Sequence, residues 1–422
     1  MSDDITTPVP DDNRVSRRGL FVGAASGLAV GALAGVGGTL GAQALGSKSN
    51  PDTDPMLSYP FYGEAHQAGI RTEPQRYCVY MTFDMASGAA SDVQVLLARW
   101  SAGIAQLMQG KPVGQAAPTR ANAVPADTGE ALDLGPSGLT VTLGLGPGIF
   151  DERFGLAHRK PALLATLPSL PSDRLDPALT GGDLSLQACA DDPQVAYHAI
   201  RDLARMARDT VTTRWTVMGF GRASAGPHQQ TPRNLMGFKD GTRNVTTDAD
   251  FTKHVWADPG DQAWMAGGTY QVARKIQMNI EVWDADHIGD QQTVFGRKKL
   301  DGAPLSGGSE HTTPDFHAHD ASGDLRISDT AHIALAAHEN NGGIKILRRS
   351  YNYTDGIDQF GQMDAGLMFI AYVNDPGNFV TLQKKLGASD RLNEYISHIG
   401  SAVFAVPGAP RVGHYIGERL FD

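Results

Sequence analysis

The chain has 422 residues, which is more than one ordinary hydrophobic core organises, so we expect two domains behind an N-terminal segment. Its 46 acidic residues outnumber the 36 basic ones, and no basic stripe follows any predicted helix, which excludes electrostatic capture of nucleic acid. Only two cysteines occur, Cys78 and Cys189, which is too few for a disulfide-rich scaffold, and no CxxC pair offers a structural zinc site. The sequence leaves open whether these two cysteines form a disulfide.

Residues 1–44 have the pattern of an export signal. Paired Arg17 and Arg18 precede a Gly- and Ala-rich stretch that has no charge until Lys48 and is too weakly apolar for a stable membrane span. The small-residue motif AQA ends at Ala44, where a signal peptidase would cut. We therefore predict a twin-arginine signal peptide with cleavage after Ala44, and a mature protein in the periplasm, the cell wall or the medium. The alternative is an uncleaved anchor helix.

The first folded part is predicted to alternate strands and helices. Residues 45–68 are rich in Ser, Asn, Pro and Asp and predict a linker. Hydrophobic periodicity then predicts strands at 77–84, 139–145, 184–189 and 215–220, with helices that begin near Ser91 and Asp191. The order β-α-β-β-α-β is that of a ferredoxin-like unit, an antiparallel sheet with helices on one face. We therefore expect an N-terminal domain at residues 69–222.

The second part repeats this rhythm less clearly. Its predicted elements are strands at 270–280, 344–349, 366–373 and 402–406 and a helix at 378–386. We infer an α+β protein with two ferredoxin-like domains, the second at residues 223–422. Between the two halves, residues 221–261 are rich in Gly, Pro, Asn and Thr, and an irregular stretch of that length is typical of a functional loop.

Three residues in the second half have the chemistry of a haem peroxidase. Asp240 lies in GFKDGTRN, where flanking glycines allow the backbone to turn and approach a flat ligand, although an exposed Asp-Gly turn would also explain it. His332 lies in the apolar run AHIALA, and Arg348 follows sixteen residues later in ILRR. A carboxylate, a histidine and an arginine are the three parts that such an enzyme needs.

Several sequence blocks carry a family resemblance. GFKDGTRN matches the GxxDG signature of dye-decolourising peroxidases, and TPRNLMGF matches its usual lead-in. Further blocks that resemble the family, in the family's order, are PFYGEAHQAGI, LGLGPGIFDERFGL, VFGRKKLDGAPLSGG, AHIALA, ILRRSYNYTDG and GLMFIAY. The resemblance covers essentially the whole mature chain, and the twin-arginine pattern makes it most similar to the exported branch that includes the deferrochelatase/peroxidase of iron-uptake systems. It implies two ferredoxin-like domains in a dimeric α+β barrel-like arrangement, with haem b, one per subunit, in the C-terminal domain.

The resemblance also implies a proximal side. His332 would be the ligand that donates a ring nitrogen to the haem iron. The chain departs from the family pattern after this histidine, because it has Ala334 and His338 where relatives tend to have Arg and Asn. His338 is therefore a rival iron ligand. Glu394 is expected to accept a hydrogen bond from the proximal histidine.

On the distal side, the resemblance assigns the acid–base chemistry to Asp240. Its carboxylate would take a proton from hydrogen peroxide and return it to the leaving oxygen, which favours activity at acidic pH. Arg348 would stabilise the negative charge that develops as the O–O bond breaks. Leu367 and Phe369, in GLMFIAY, would wall the distal pocket, although ordinary strand packing would also explain them.

Arg297 is expected to pair with a haem propionate, because a guanidinium binds carboxylates bidentately, and Arg243 with its neighbour Asn244 is a weaker candidate for contacting the cofactor. The implied reaction reduces hydrogen peroxide to water while an organic reductant is oxidised, namely a dye, a phenolic or a porphyrinogen. The expected partners are the twin-arginine translocation machinery, components of iron uptake and further copies of the chain.

Three other functions remain open. A metal-dependent hydrolase would use the histidines and the aspartate of HTTPDFHAHD, which are His311, His317, His319 and Asp315, but their spacing matches no zinc signature. A non-catalytic haem carrier of the cell envelope would have no kinetic use for Asp240 and Arg348. A deferrochelatase would release iron from haem while sparing the porphyrin.

Overall fold

The computed structural model describes residues 54–221, 231–258, 260 and 262–422. The predicted signal peptide lies outside these residues. The strands are β1 (Tyr77–Met85), β2 (Thr140–Leu145), β3 (Leu184–Ala190), β4 (Val211–Phe220), β5 (Thr269–Met278), β6 (Leu347–Arg348), β7 (Tyr351–Ile357), β8 (Met363–Val373) and β9 (Ile396–Val406). The helices are α1 (Ala90–Leu107), α2 (Pro193–Met206), α3 (Asp248–His254), α4 (Ile280–Ala285), α5 (Ile288–Phe295), α6 (His332–Ala336) and α7 (Pro376–Ser389). In the described part of the chain, no helix combines the length and apolarity needed to cross a membrane.

The first half forms the predicted ferredoxin-like unit. Its antiparallel strands lie in the order β2-β3-β1-β4, with α1 and α2 as the connecting helices. Helix α2 begins as predicted, because the Asp192 side chain accepts hydrogen bonds from the backbone N–H groups of Gln194 and Val195. Helix α1 differs from the prediction, since it starts at Ala90 without a side-chain cap and Ser91 lies inside its first turn.

The second half repeats the same strand order. Strands β7, β8, β5 and β9 are neighbours in that order and all are antiparallel, which reproduces the order of the first half. The halves join at two edges, because β4 pairs with β7 and β2 pairs with β9. The sheet therefore closes on itself into a barrel, which removes its exposed edges and confirms the predicted α+β class.

Several predicted boundaries are wrong. The strand predicted at 344–349 is only the two-residue β6, and the strand β7 that follows it was not predicted. The strand predicted at 270–280 ends at Met278 because α4 begins at Ile280. Within the predicted linker, residues 54–68 have no helix or strand, yet Gln67 is buried and its amide hydrogen-bonds both the N–H and the C=O of Leu143.

Two apolar clusters concern the site. The larger one lies between α1, α2 and the first-half sheet, with Trp100 fully buried against Phe83. A smaller one packs Phe238, Trp283 and Phe295 ring against ring behind the loop that carries Asp240. Cys78 and Cys189 face each other across β1 and β3 as buried free thiols.

Candidate active site

A deep cavity opens in the second half of the chain. Its cavity volume is about 250 Å³, and it lies between the loop at 234–243, strands β5 and β8, and helices α6 and α7. Much of its wall is apolar: Ile276, Met278, Phe295, Ile333, Leu367, Phe369, Phe379, Leu382 and Leu386. Its ionisable groups include Asp240, Arg243, Arg274, Arg297, His332, His338, Arg348, Asp390 and His398. A largely apolar cavity with several guanidinium groups suits a flat ligand that carries carboxylates.

His332 is the first residue of α6 and is held by a buried carboxylate. Its Nδ1 lies 2.6 Å from Oδ2 of Asp390, whose other oxygen accepts the backbone N–H of Leu392 at 2.9 Å. Burial alone would lower the pKa of His332, but the adjacent Asp390 carboxylate offsets this, and the pKa is raised. The contact places the Nδ1 proton towards Asp390, so Nε2 is the nitrogen left to bind a metal.

The expectation for Glu394 is wrong. Glu394 is exposed on the short helical turn that follows α7 and does not contact His332. Asp390, four residues earlier, makes the contact instead, because the carboxylate that caps this turn is the one that points inward. No local pattern in the sequence marks Asp390, since it is 58 residues from His332 and resembles an ordinary cap.

Asp240 and Arg348 form an ion pair at the same cavity. Nη1 of Arg348 lies 3.2 Å from Oδ1 of Asp240, and Nη2 donates to the backbone oxygen of Thr242 at 3.0 Å. Gly237 and Gly241 have φ values of 84° and 126°, which explains the glycines in this motif. Both charges contribute to the electrostatic environment of His332, so the three predicted residues are brought together.

Asn244 positions Arg348 and is not part of the cavity wall. Its side-chain oxygen accepts the backbone N–H of Arg348 at 2.9 Å, and its Nδ2 donates to the backbone C=O of the same residue at 2.7 Å. The structure shows Asn244 in contact with the Arg348 backbone, and its expected contact with the cofactor stays a prediction. This double hydrogen bond fixes β6 to the GTRN turn.

Glu310 holds the loop around Asp240 and was not recognised in the sequence. This residue is buried, and its carboxylate accepts hydrogen bonds from Lys239, Thr231 and Thr242. Burial would raise the pKa of Glu310, but these donors, Lys239 first, hold the pKa below its ordinary value. Lys239 and Thr242 lie on either side of Asp240 and Gly241. The Glu310 carboxylate therefore holds both ends of the turn that contains Asp240.

Arg297 and Arg243 both line the cavity but differ in their partners. Arg297 is 6% exposed, and its Nη1 donates to the backbone oxygens of Gly302 and Glu310. Burial, and then the nearby charge of Arg243, lower its pKa to about 10. Among the described residues no carboxylate pairs with Arg297, whereas Arg243 pairs with Glu339. This geometry favours Arg297 over Arg243 as the site for a ligand carboxylate.

The remaining predicted residues fall into two groups. Leu367 and Phe369 lie on one face of β8 and line the cavity. His338 also lines it, but its Nδ1 faces Glu339 and Arg243, and no buried carboxylate holds it as Asp390 holds His332. The histidines of HTTPDFHAHD form no metal-binding group, since no three His, Cys, Asp or Glu ligand atoms of that described segment lie within 4.8 Å of one another. The structure therefore does not support the hydrolase alternative.

Comparisons with known proteins agree with this geometry. Residues 67–221 match the N-terminal and residues 231–411 the C-terminal model of Dyp-type peroxidases. The chain is 39% identical over 426 residues to a deferrochelatase of Escherichia coli O157:H7, covering 97% of both, and 37% identical to one of Yersinia pseudotuberculosis, covering 98% of this chain and 97% of the relative.

Solved structures give the same result. A DyP-type peroxidase from Streptomyces coelicolor superimposes with a TM-score of 0.82 at 41% identity, and the oxyferrous complex of DtpA from Streptomyces lividans with 0.81 at 40% identity. Each alignment covers 87% of this chain and 98% of the other. The chain therefore belongs to the Dyp-type peroxidase family and is a haem-dependent peroxidase.

Proposed function

We propose that this chain is an exported haem b peroxidase with one haem per subunit, bound through Nε2 of His332. It reduces hydrogen peroxide to water and oxidises an organic reductant such as a dye, a phenolic or a porphyrinogen. The observation that carries this proposal is the Asp240–Arg348 ion pair, which lies in the same cavity as a histidine oriented by a buried carboxylate.

The residues present fit a haem. His332 offers a neutral nitrogen ligand whose opposite ring nitrogen is hydrogen-bonded to Asp390, as is usual for metal-binding histidines. The walls supply apolar side chains for the porphyrin faces, and Arg297 supplies a guanidinium that no described carboxylate neutralises. When bound, the haem supplies the redox-active iron and conjugated ring that hold the oxidising equivalents taken from peroxide.

The acid–base chemistry belongs to Asp240. Its carboxylate would accept a proton from one oxygen of hydrogen peroxide and return it to the outer oxygen, which would leave as water. Arg348, 3.2 Å away, stabilises the negative charge on that outer oxygen and keeps Asp240 oriented. Leu367 and Phe369 exclude water, which strengthens the interactions of Arg348 with the peroxide oxygen and with Asp240.

Asp390 holds His332 in place through Nδ1, the ring nitrogen that does not bind the metal. The 2.6 Å contact with Asp390 fixes the ring plane and the tautomer of His332, and partial transfer of the Nδ1 proton makes Nε2 a stronger donor to iron. A strong donor stabilises iron in a high oxidation state, which peroxidase chemistry requires.

The test is haem binding and steady-state oxidation of a phenolic reductant. We expect His332→Ala to lose the Soret band of ligated haem and the activity, and His338→Ala to retain both. Arg348→Leu should keep the haem and lower the peroxide-dependent rate by about 100-fold or more. His287→Ala is the matched control, because the His287 side chain is 93% exposed. Retention of the Soret band in His332→Ala with its loss in His338→Ala would refute the ligand assignment.

Deferrochelatase activity is the second candidate, supported by the name of relatives that cover nearly the whole chain. The haem-loaded protein would then release iron and leave an intact porphyrin. Porphyrin fluorescence, measured after incubation with and without peroxide, separates the two activities. Fluorescent metal-free porphyrin without peroxide supports the chelatase, and its absence leaves peroxide reduction as the activity of this site.

We also propose export by the twin-arginine route to the periplasm or the extracellular side, which rests on Arg17, Arg18 and the AQA motif. The processed chain would then hold an N-terminal domain and a haem-binding C-terminal domain with their boundary near residue 222, and it would meet iron-uptake components and further copies of itself there. Replacing both arginines with lysine should leave unprocessed protein in the cytoplasm. Processed protein that does not begin at Leu45 would contradict cleavage after Ala44.

A further inference from the structure

A second cluster of metal-binding side chains lies in the first half of the chain, and none of its members lines the haem cavity. Asp127 belongs to the long connection at residues 108–139, which links α1 to β2 without a helix or strand of its own. His198 and Asp202 lie one turn apart on α2. The side chains of Asp127 and Asp202 are 0% exposed and that of His198 is 7% exposed.

The two ring nitrogens of His198 face different groups. Nδ1 lies 3.2 Å from Oε2 of Glu130 and 3.3 Å from the hydroxyl of Thr128. Nε2 lies 3.6 Å from Oδ2 of Asp127 and 3.4 Å from Oδ2 of Asp202, and it makes no hydrogen bond with any described residue. With the proton on Nδ1, the Nε2 lone pair faces two carboxylate oxygens, which is unfavourable unless a second proton or a metal ion lies between them.

Nε2 of His198 is spaced from each carboxylate oxygen as ligand atoms are in a metal coordination shell, and all three ligand atoms lie within 4.8 Å of one another. A tetrahedral ion with ligand distances of about 2.1 Å places its ligand atoms roughly 3.4 Å apart, which is close to the two measured separations. The carboxylates are fixed from outside, since Oδ1 of Asp127 accepts the backbone N–H of Gly129 and Oδ1 of Asp202 that of Thr128. Nδ1 is hydrogen-bonded to the Thr128 hydroxyl, and Oε2 of Glu130 lies at ion-pair distance from the same nitrogen, which is the side from which a carboxylate orients a metal-binding histidine.

The charged groups around the cluster leave the space between Nε2 and the two Oδ2 atoms negatively charged. Arg205 lies 3.8 Å from Oδ1 of Asp202, and Arg201 lies 3.2 Å from Oε1 of Glu130. Each guanidinium therefore faces an outer carboxylate oxygen, on the side away from Nε2. Asp127 Oδ2 also accepts the backbone N–H of Val113, which leaves capacity for a second partner. Before the charge on His198 is counted, three carboxylates against two guanidinium groups give an excess of one negative charge.

We propose that Asp127, His198 and Asp202 bind a divalent transition-metal ion of the zinc type, with Nε2 and the two Oδ2 atoms as ligands and water as the fourth. The ion fastens the connection at residues 108–139 to α2, because Asp127 is in the former and the other ligands are in the latter. The site is structural and separate from peroxide chemistry, so it does not depend on the proposed function.

The test is metal content and stability of the full haem-loaded protein, with Zn²⁺ as the probe. After chelator treatment, dialysis against Zn²⁺ should leave about one zinc per chain and raise the midpoint of thermal unfolding. His198→Gln should abolish both effects. Glu130→Gln should weaken zinc binding by about 10- to 100-fold. The control is His317→Gln with His319→Gln, in the exposed histidine loop, and it should retain one zinc.

Three results would overturn the proposal. The first is wild-type protein that retains no zinc, and the second is zinc binding that persists in His198→Gln. X-ray absorption at the zinc edge of the wild-type protein keeps the test valid if His198→Gln does not fold. It should show one histidine and otherwise oxygen ligands at about 2.0–2.1 Å, and several histidines or sulfur in that shell would also refute the site.

Discussion

Glu310→Gln tests whether the loop around Asp240 is held by one buried carboxylate. The substitution keeps the shape of the side chain but removes its charge. The glutamine oxygen still accepts from Thr242, while Lys239 loses its counter-ion. The side chains of Lys239 and Glu310 are 20% and 10% exposed, so this ion pair is partly desolvated. Losing it should therefore lower the free energy of unfolding measurably.

The expected loss of stability is about 2 kcal/mol. A hydrogen bond to a charged group contributes about 1.5–3 kcal/mol, and breaking a fully buried pair costs about 3–5 kcal/mol. The lower range applies because the Lys239 ammonium retains some contact with water. Loosening the turn also displaces Asp240, so we expect peroxide turnover to fall by about tenfold, with haem content unchanged.

The difference between wild type and variant should depend on pH. The contacts of Glu310 hold its folded-state pKa below the ordinary value of 4.5. Such a group stabilises the fold fully above its unfolded-state pKa, and this contribution is lost as the pH falls through the folded-state pKa. The difference in free energy of unfolding between wild type and Glu310→Gln should therefore be constant at neutral pH and decrease below about pH 4.5.

Urea unfolding between pH 3.5 and 7, with peroxide turnover at neutral pH, measures these effects. The control is Glu152→Gln, because Glu152 is exposed and remote from the loop. Equal free energies of unfolding for wild type and Glu310→Gln at pH 7 would refute the argument, and so would a gap that widens on acidification.

Three further substitutions test individual contacts of the site. Asp390→Asn should weaken haem affinity by about 10- to 100-fold, measured by titration at the Soret band, because His332 loses its orienting carboxylate. Asn244→Ala should lower the free energy of unfolding by about 2 kcal/mol, since two hydrogen bonds to the Arg348 backbone disappear, and it should slow peroxide turnover without loss of haem; unchanged turnover would contradict the positioning role. Arg297→Gln should weaken haem affinity by about tenfold and leave the peroxide rate of the haem-loaded protein unchanged, whereas a slower rate at full loading would assign Arg297 to catalysis.

The residues to which we assign the chemistry are recognisable in the sequence because they lie in motifs. Asp240 has flanking glycines, His332 lies in the apolar run AHIALA and Arg348 lies in the ILRR block, so each lies in a motif that resembles the family. Asp390 and Glu310 have no such pattern. Each contacts its partner across a large separation in the chain, and only the closed fold brings these carboxylates to the site.

The fold was predicted well where periodicity was strong. The strands of the first half alternate in polarity or are rich in aromatic and β-branched residues, and all four were located. Strand β7 was missed because its second half, TDGI, reads as a turn and is exposed beyond the barrel rim. The closure of the barrel is not a property of either half alone, since it depends on the short pairings of β4 with β7 and of β2 with β9.

The most direct test of the account is the rate at which the haem-loaded protein reacts with hydrogen peroxide, followed by stopped flow at the Soret band. Asp240→Asn should slow this second-order step by at least about 100-fold, with an unchanged spectrum before mixing. The control Asp290→Asn, whose side chain is 71% exposed, should react as wild type does. An Asp240→Asn variant that reacts as fast as wild type would show that proton transfer by this carboxylate is not how the site reduces peroxide.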